Sequence, residues 1–164
     1  MAGMEKVKIL FVCHGNICRS PMAEFVMKRK LASAGIEGFE VESAATSTEE
    51  IGNPVYPPAR RMLNSHGIDC SGKHARQMTM RDYECYDYIV LMDRSNLRNL
   101  RWILPPDVYE KESTKSGKVS LLMDWAGKNR DVADPWYTGD FQATWDDVNE
   151  GCDAIINKLT ARQR

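Results

Sequence analysis

Residues Cys13-His14-Gly15-Asn16-Ile17-Cys18-Arg19-Ser20-Pro21 join a strand pattern to a helix pattern, and no other stretch restricts the fold as much. Before them, Val7-Lys8-Ile9-Leu10-Phe11-Val12 is a short apolar run rich in β-branched and aromatic residues, the signature of a buried strand. After them, Ser20-Pro21 reads as a helix start, with serine at the N-cap and proline at the first helical position. Such a strand-to-helix turn directs backbone N–H groups and the positive end of a helix at whatever occupies it. It is an anion site.

Two side chains make that anion site reactive. Cys13 and Arg19 flank five residues, so a loop curled around a phosphate places a sulfur beneath it and a guanidinium beside it. A thiol attacks only as thiolate, and a helix N-terminus with a nearby cation lowers its pKa from about 8.5 to roughly 3.5–7.5. Arginine presents a planar fork of donors that matches two phosphoryl oxygens. Gly15 permits a positive φ and close backbone approach, while Asn16 tolerates the left-handed region and can hydrogen-bond its own loop. The competing structural reading is a buried packing cysteine beside a capped helix.

The run Val-Cys-x-Gly-Asn-x-Cys-Arg-Ser-Pro over residues 12–21 resembles the signature of the low-molecular-weight protein tyrosine phosphatases. Neither Gly-x-Gly-x-x-Gly nor Gly-Lys-Ser/Thr is present to suggest a nucleotide loop. The resemblance implies an α/β domain with a four-stranded parallel sheet in the order 2-1-3-4. It also implies hydrolysis of phosphotyrosine through a cysteinyl phosphate, releasing inorganic phosphate.

Composition narrows the remaining classes. The 164 residues suit one domain, 1–164. A net charge of −1 argues against nucleic acid as a partner. The amino-terminal apolar run is too short and too late for a signal peptide, and no stretch approaches a membrane span. Five irregularly spaced cysteines do not form a secreted disulfide framework, so a cytoplasmic location is expected. A monomer is expected.

Along the chain, a first helix is expected over Pro21–Ala34, with Met22, Phe25 and Val26 inward, then a second strand over Phe39–Ser43. The Gly- and Pro-bearing stretch from Ala45 to Pro58 reads as loop at the rim of the site, and Ala59–His66 as a short helix closed by Gly67. After the irregular run Ile68–Gln77, a helical piece near Thr79–Tyr83 leads into a third strand over Tyr88–Met92. Asp93 or Ser95 caps the next helix, Asp107–Lys118 reads as a mobile loop, Val119–Met123 as a fourth strand, and Asp131–Gly139 as loop. Phe141, Trp145, Val148, Cys152, Ile155, Ile156 and Leu159 recur at helical spacing and mark a final helix with one buried stripe. Strands alternating with helices imply right-handed crossovers and a parallel sheet, with ligands beyond the strands' carboxyl ends.

Displacing a phenolate from phosphorus needs a general acid, and hydrolysis of the intermediate needs a general base. Asp134 is the candidate for both, because Asp134-Pro135-Trp136-Tyr137 resembles the family's late Asp-Pro-aromatic-aromatic loop. Pro135 holds Asp134 extended, and Trp136 and Tyr137 are suited to wall a slot for an aromatic ring. The alternative is that Asp-Pro opens a turn and the aromatics are core. The resemblance further implies that His14, Gly15, Asn16, Ile17, Cys18 and Ser20 form the phosphate loop. In the family the hydroxyl matching Ser20 donates to the thiolate, and Asn16 with Ser43 supports the loop. The family often has histidine at the position of Lys73; here His74 lies one residue later and reads as a solvated loop residue. Glu49 stands where family members often carry an aromatic near the mouth, which alters the favoured phosphopeptides.

Cys18 pairs with Cys13 in the redox switch that the resemblance implies, a disulfide that shields the nucleophile and is undone by thiols; a packing role under the loop is the alternative. Cys70, Cys85 and Cys152 read as inert packing residues, and Arg94, Arg98 and Arg101 as a solvated helix face. Three rivals stand beside the phosphatase. An arsenate reductase of the same fold needs further redox cysteines, whereas only Cys85 lies in the relevant region. A non-catalytic phosphotyrosine-binding module gives no reason to keep a nucleophile and an acid. A zinc site from Cys13, Cys18, His66 and Cys70 sets Arg19 against a cation. The expected enzyme therefore uses no metal and no organic cofactor, and acts on phosphotyrosine-containing proteins, a tyrosine kinase among them.

Overall fold

The computed structural model describes residues 6–114 and 117–162. Strand β1 (Val7–Cys13) is central in a four-stranded parallel sheet with β2 (Phe39–Ala45), β3 (Tyr88–Leu91) and β4 (Val119–Leu121), in the order β2-β1-β3-β4. Its register sets Ile9 beside Val41, Phe11 beside Ser43 and Leu10 beside Ile89. Because successive side chains of a strand face opposite ways, both faces of β1 must be covered. Ile9 and Phe11 enter one core with helices α1 (Arg19–Ser33), α2 (Pro57–Ser65), α6 (Leu122–Trp125) and α8 (Phe141–Arg162). Leu10 and Val12 enter another, closed by Met78, Tyr86, Leu100 and Leu104 from the segments around α3 (Met80–Cys85), α4 (Arg94–Asn99) and α5 (Pro106–Thr114). A 3₁₀ turn, Leu100–Trp102, follows α4 directly.

The expected sheet order holds, and so does the stripe of the last helix. Val148, Cys152, Ile155 and Leu159 are buried, while Phe141, Trp145 and Ile156 pack at the margin of the same core. Met22 and Val26 are fully inward; Phe25 lies at the margin.

Several expectations are corrected. Cys18, not Ser20, occupies the N-cap position of α1, and Ser20 and Pro21 are its second and third residues. Proline is still tolerated there, because N–H groups of the first turn have no intrahelical acceptor. The segment expected as a mobile loop over 107–118 is mostly helix α5, with Pro106 at its start. Its Glu112 is buried, accepting hydrogen bonds from the Val119 amide and the Tyr83 hydroxyl, which anchors the helix to β4 and α3. Residues 115 and 116 of that expectation lie outside the described residues. The fourth strand stops at Leu121, where the chain turns into α6. The loop over 131–139 contains a one-turn helix, α7 (Pro135–Thr138). Cys85 is exposed, not packed.

One packing contact leaves no room for a methyl group. A Cβ on Gly151 of α8 would run into Leu122 Cγ, and Leu122 is fully buried. Gly151→Ala should destabilise the fold by about 1–3 kcal/mol from overpacking, in spite of alanine's better helix propensity. Urea denaturation checks this; an unchanged or raised midpoint would show that the α6–α8 contact yields easily.

Candidate active site

The carboxyl ends of β1 and β3 and the segment before α7 converge on one cavity, as open parallel sheets direct. The cavity holds about 210 Å³ and is lined by Cys13, Arg19, Asp134 and the loop residues between them, with Glu50, Trp136 and Tyr137 at its wall. That is small against typical ligand pockets of roughly 300–1,000 Å³, a size for a phosphoryl group and part of an aromatic ring.

The loop is shaped by its own residues and by the segment after β2. Asn16 has φ 60° and, among the described residues, is the one non-glycine in the left-handed region. Gly15, expected at positive φ, does not adopt it; a Cβ there would meet Glu50 Cγ at 3.2 Å, so close approach is its physical requirement. The carbonyls of Cys13, His14 and Ile17 accept from the amides of Thr46, Ser47 and Tyr56 at 2.9, 3.1 and 2.9 Å. With those carbonyls consumed by the neighbouring segment, the loop is left with amides to offer an anion.

Asn16 is 1% exposed and its side chain is fully used. Its Oδ1 accepts from the Arg76 amide at 3.2 Å, and its Nδ2 donates to Ser20 Oγ at 2.8 Å and to Ser43 Oγ at 3.0 Å. Ser43 in turn donates to Glu24 Oε1 at 2.6 Å. These bonds fix a direction. Glu24 can only accept when ionised, so Ser43 donates to it and must accept from Asn16. Ser20 accepts from Asn16 as well, so its own O–H is left to donate, with Cys13 Sγ at 3.0 Å and the Ala44 carbonyl at 3.4 Å within reach. The sulfur also accepts from the Asn16 amide at 3.3 Å. Ser20 thus lies against the sulfur from within the first turn of α1, which starts one residue earlier.

Arg19 is buried at 2% exposure and held on two sides. Its Nη1 donates to Asp93 Oδ2 at 2.6 Å and to the Val132 carbonyl at 2.9 Å, and Nη2 lies 3.5 Å from Asp134 Oδ2. Burial alone would lower its pKa, but the Cys13 sulfur and Asp93 outweigh burial and raise it. The guanidinium is therefore charged wherever the protein is folded. Asp134 caps α7, accepting from the Trp136 amide at 3.0 Å through Oδ1, which leaves Oδ2 facing the cavity side of Arg19. Trp136 leans on Tyr56 with ring centroids 4.8 Å apart, and Tyr137 is 84% exposed at the lip. Burial, and next to it the Cys13 sulfur, push the Cys18 thiol far up, so Cys18 stays protonated beside Cys13. All five cysteines are free thiols.

The structure brings the expected Cys13, Arg19, Asp134 and the loop together at one cavity, whereas Asp93 was expected only as a helix cap, and Glu24, Lys73, Tyr56, Glu50 and Arg76 were not expected there as supports or lining. Asp93 does cap α4 through Oδ1, while its Oδ2 holds Arg19. A carboxylate directly after an apolar strand run was the available signal. For Glu24 the signal was a charge on the inward stripe of α1.

A scan for family models matches residues 8–164 to the low molecular weight phosphotyrosine protein phosphatase family. The chain belongs to this family. The phosphatase is 35% identical over 154 residues to the low molecular weight protein-tyrosine-phosphatase PtpA of Staphylococcus aureus, covering 93% of this chain and 94% of that one. It is similar to the crystal structure of YfkJ from Bacillus subtilis (TM-score 0.87, 31% identity, 98% of each chain covered). It is also similar to a low molecular weight protein tyrosine phosphatase from Streptococcus pyogenes (TM-score 0.76, 39% identity, 93% of this chain and 92% of that chain covered). A Drosophila structure described as an arginine phosphatase matches with TM-score 0.80 at 28% identity, covering 93% of this chain and 98% of that chain.

In this phosphatase Lys73, not His74, reaches beneath the loop. Lys73 Nζ donates to the Ser43 carbonyl at 2.8 Å and lies 3.3 Å from Glu24 Oε1, whereas His74 is exposed and bonded to the Gly72 carbonyl. Lys28 reaches the other Glu24 oxygen at 2.7 Å. Lys73→Met should cost about 2 kcal/mol, since Lys28 offsets only part of the lost buried pair, and should lower kcat several-fold by loosening Ser43. His74→Ala should stay within about 0.5 kcal/mol. Urea melts and steady-state turnover of an aryl phosphate separate the two; equal losses would place the support elsewhere.

Proposed function

We propose that this cavity hydrolyses phosphotyrosine in two steps, with Cys13 as nucleophile, Arg19 as phosphoryl clamp and Asp134 as proton carrier. The observation that carries the proposal is the sulfur of Cys13 held between the Ser20 hydroxyl and the Asn16 amide, with a buried, charged guanidinium beside it. The Cys13 thiolate attacks phosphorus; the P–O bond to the tyrosyl ring breaks, and Asp134 gives its proton to the leaving oxygen. Arg19 and the loop amides of His14, Gly15, Ile17 and Cys18 stabilise the equatorial oxygens, while the Asn16 amide stays on the sulfur. Asp134, now ionised, takes a proton from water as that water attacks the cysteinyl phosphate. Sulfur leaves as thiolate, assisted by the Ser20 hydroxyl, and inorganic phosphate departs.

Trp136 and Tyr137 supply the aromatic wall, with Tyr56 behind Trp136. Ser43 acts through Asn16. Cys18 is proposed as the reversible disulfide partner of Cys13. Residues 1–164 are read as one phosphatase domain acting as a monomer in the cytoplasm on phosphotyrosine-containing proteins, a tyrosine kinase among them. Among the described residues, no helix is long and apolar enough to cross a membrane. The arsenate-reductase alternative finds little support, since Cys70, Cys85 and Cys152 do not line the cavity.

Cys13→Ser should abolish turnover of an aryl phosphate while leaving phosphate binding measurable by calorimetry; substantial residual turnover means a different nucleophile. Asp134→Ala should slow the first step by about 10²–10⁴ for poor leaving groups and progressively less as the leaving group improves. Equal slowing across a leaving-group series would remove Asp134 from the acid role. A phosphoarginine peptide belongs in the same assay because of the Drosophila relative; the aromatic wall favours the phosphotyrosine peptide over it.

A further inference from the structure

A second cavity, of about 370 Å³, opens beside the active-site cavity and is lined by His14, Ser47, Thr48, Glu49, Gln77 and Trp102. The two cavities share His14 and Glu49. His14 Nε2 lies 2.5 Å from Glu49 Oε2, so this pair forms the partition between them. Glu49 projects into water with its side chain 66% exposed, and among the described residues its Oε1 has no hydrogen-bond partner. On the far side Trp102 leaves the 3₁₀ turn half exposed, its ring 6.4 Å from that of His14 in an edge arrangement.

The lining chemistry selects the occupant. One wall is a carboxylate with a free oxygen, another is an indole, and Ser47, Thr48 and Gln77 add polar side chains. Among the described residues no lysine or arginine lines the cavity; Arg98 and Arg101, on the same stretch as Trp102, line neither cavity. A second phosphate would meet Glu49 and be repelled. A guanidinium can stack on an indole face while its fork donates to a carboxylate, a pairing an ammonium makes less completely.

The geometry points to a substrate subsite: the second cavity takes a basic side chain, arginine above all, from a residue flanking the phosphotyrosine of the target protein. This rests on the phosphotyrosine reading of the adjoining cavity. Glu49 and Trp102 are then specificity residues and take no part in bond breaking. Exposed ion pairs and exposed cation–π contacts are each modest, so together they amount to about a fivefold to tenfold preference in kcat/KM.

The test uses phosphotyrosyl peptides that differ only in carrying arginine, alanine or glutamate next to the phosphotyrosine on either side, with a small aryl phosphate as reference. The wild-type chain should turn over an arginine peptide about fivefold to tenfold better than the alanine peptide, and the glutamate peptide less well, with the spread shrinking as salt rises. Trp102→Ala should flatten the arginine preference and leave aryl phosphate turnover unchanged. Glu49→Arg, a surface change, should turn the preference toward glutamate. Equal kcat/KM for all three peptides, or an arginine preference that survives both substitutions, overturns the subsite. So does an aromatic-flank preference that needs Trp102 but not Glu49. If the wild-type chain fails on the aryl phosphate itself, the phosphotyrosine reading falls instead.

Discussion

Asn16 is the residue on which the site's geometry converges. A buried side-chain amide with an acceptor at one end and two donors at the other has no rotational freedom once all three are used. Here a backbone amide on the Arg76 side decides which end is oxygen, and two serines accept from the nitrogen. The left-handed backbone of the same residue sends its own N–H to the sulfur. One residue therefore sets loop shape, hydrogen-bond polarity and nucleophile environment together, and its surroundings keep it fixed. Arg76 is gripped by both oxygens of Asp82, which itself accepts from the amide of Thr79, the N-cap of α3.

Around this frame two buried ions, Glu24 and Arg19, each sit between two opposite charges. Glu24 is shared between Lys73 and Lys28, and Arg19 between Asp93 and Asp134. Removing one member of such a set exposes the rest to an uncompensated burial penalty, which exceeds the net worth of the pair itself. The consequence for catalysis is separation of tasks. Arg19 is anchored by Asp93 at 2.6 Å, while its contact to Asp134 is longer at 3.5 Å, so in the proposed mechanism the guanidinium keeps its main anchor whatever Asp134 does.

The parts legible in the sequence were those whose chemistry is local. A strand run, a reactive loop and a helical stripe each declare themselves within a few residues, and Cys13 and Arg19 were read that way, while Asp134 rested on the resemblance of its Asp-Pro loop. The rest depended on partners far along the chain. Helix α5 looked like loop because its hydrophilic residues hide that Glu112 is buried against Val119 and Tyr83. Ser20 looked like a cap because the local pattern is a good cap; the helix starts one residue earlier, at Arg19, and the hydroxyl meets a sulfur seven residues back in the chain. Lys73 carried no local signal at all, since its partner Glu24 lies 49 positions earlier and meets it only once α1 has crossed β2.

Tyr56 links two surfaces that the chain keeps far apart. Its amide holds the Ile17 carbonyl in the floor, and its ring carries Trp136 at the mouth. One side chain and its own peptide group thus serve as a common footing for the aromatic wall and for the loop beneath it, so the two cannot be rebuilt independently of Tyr56.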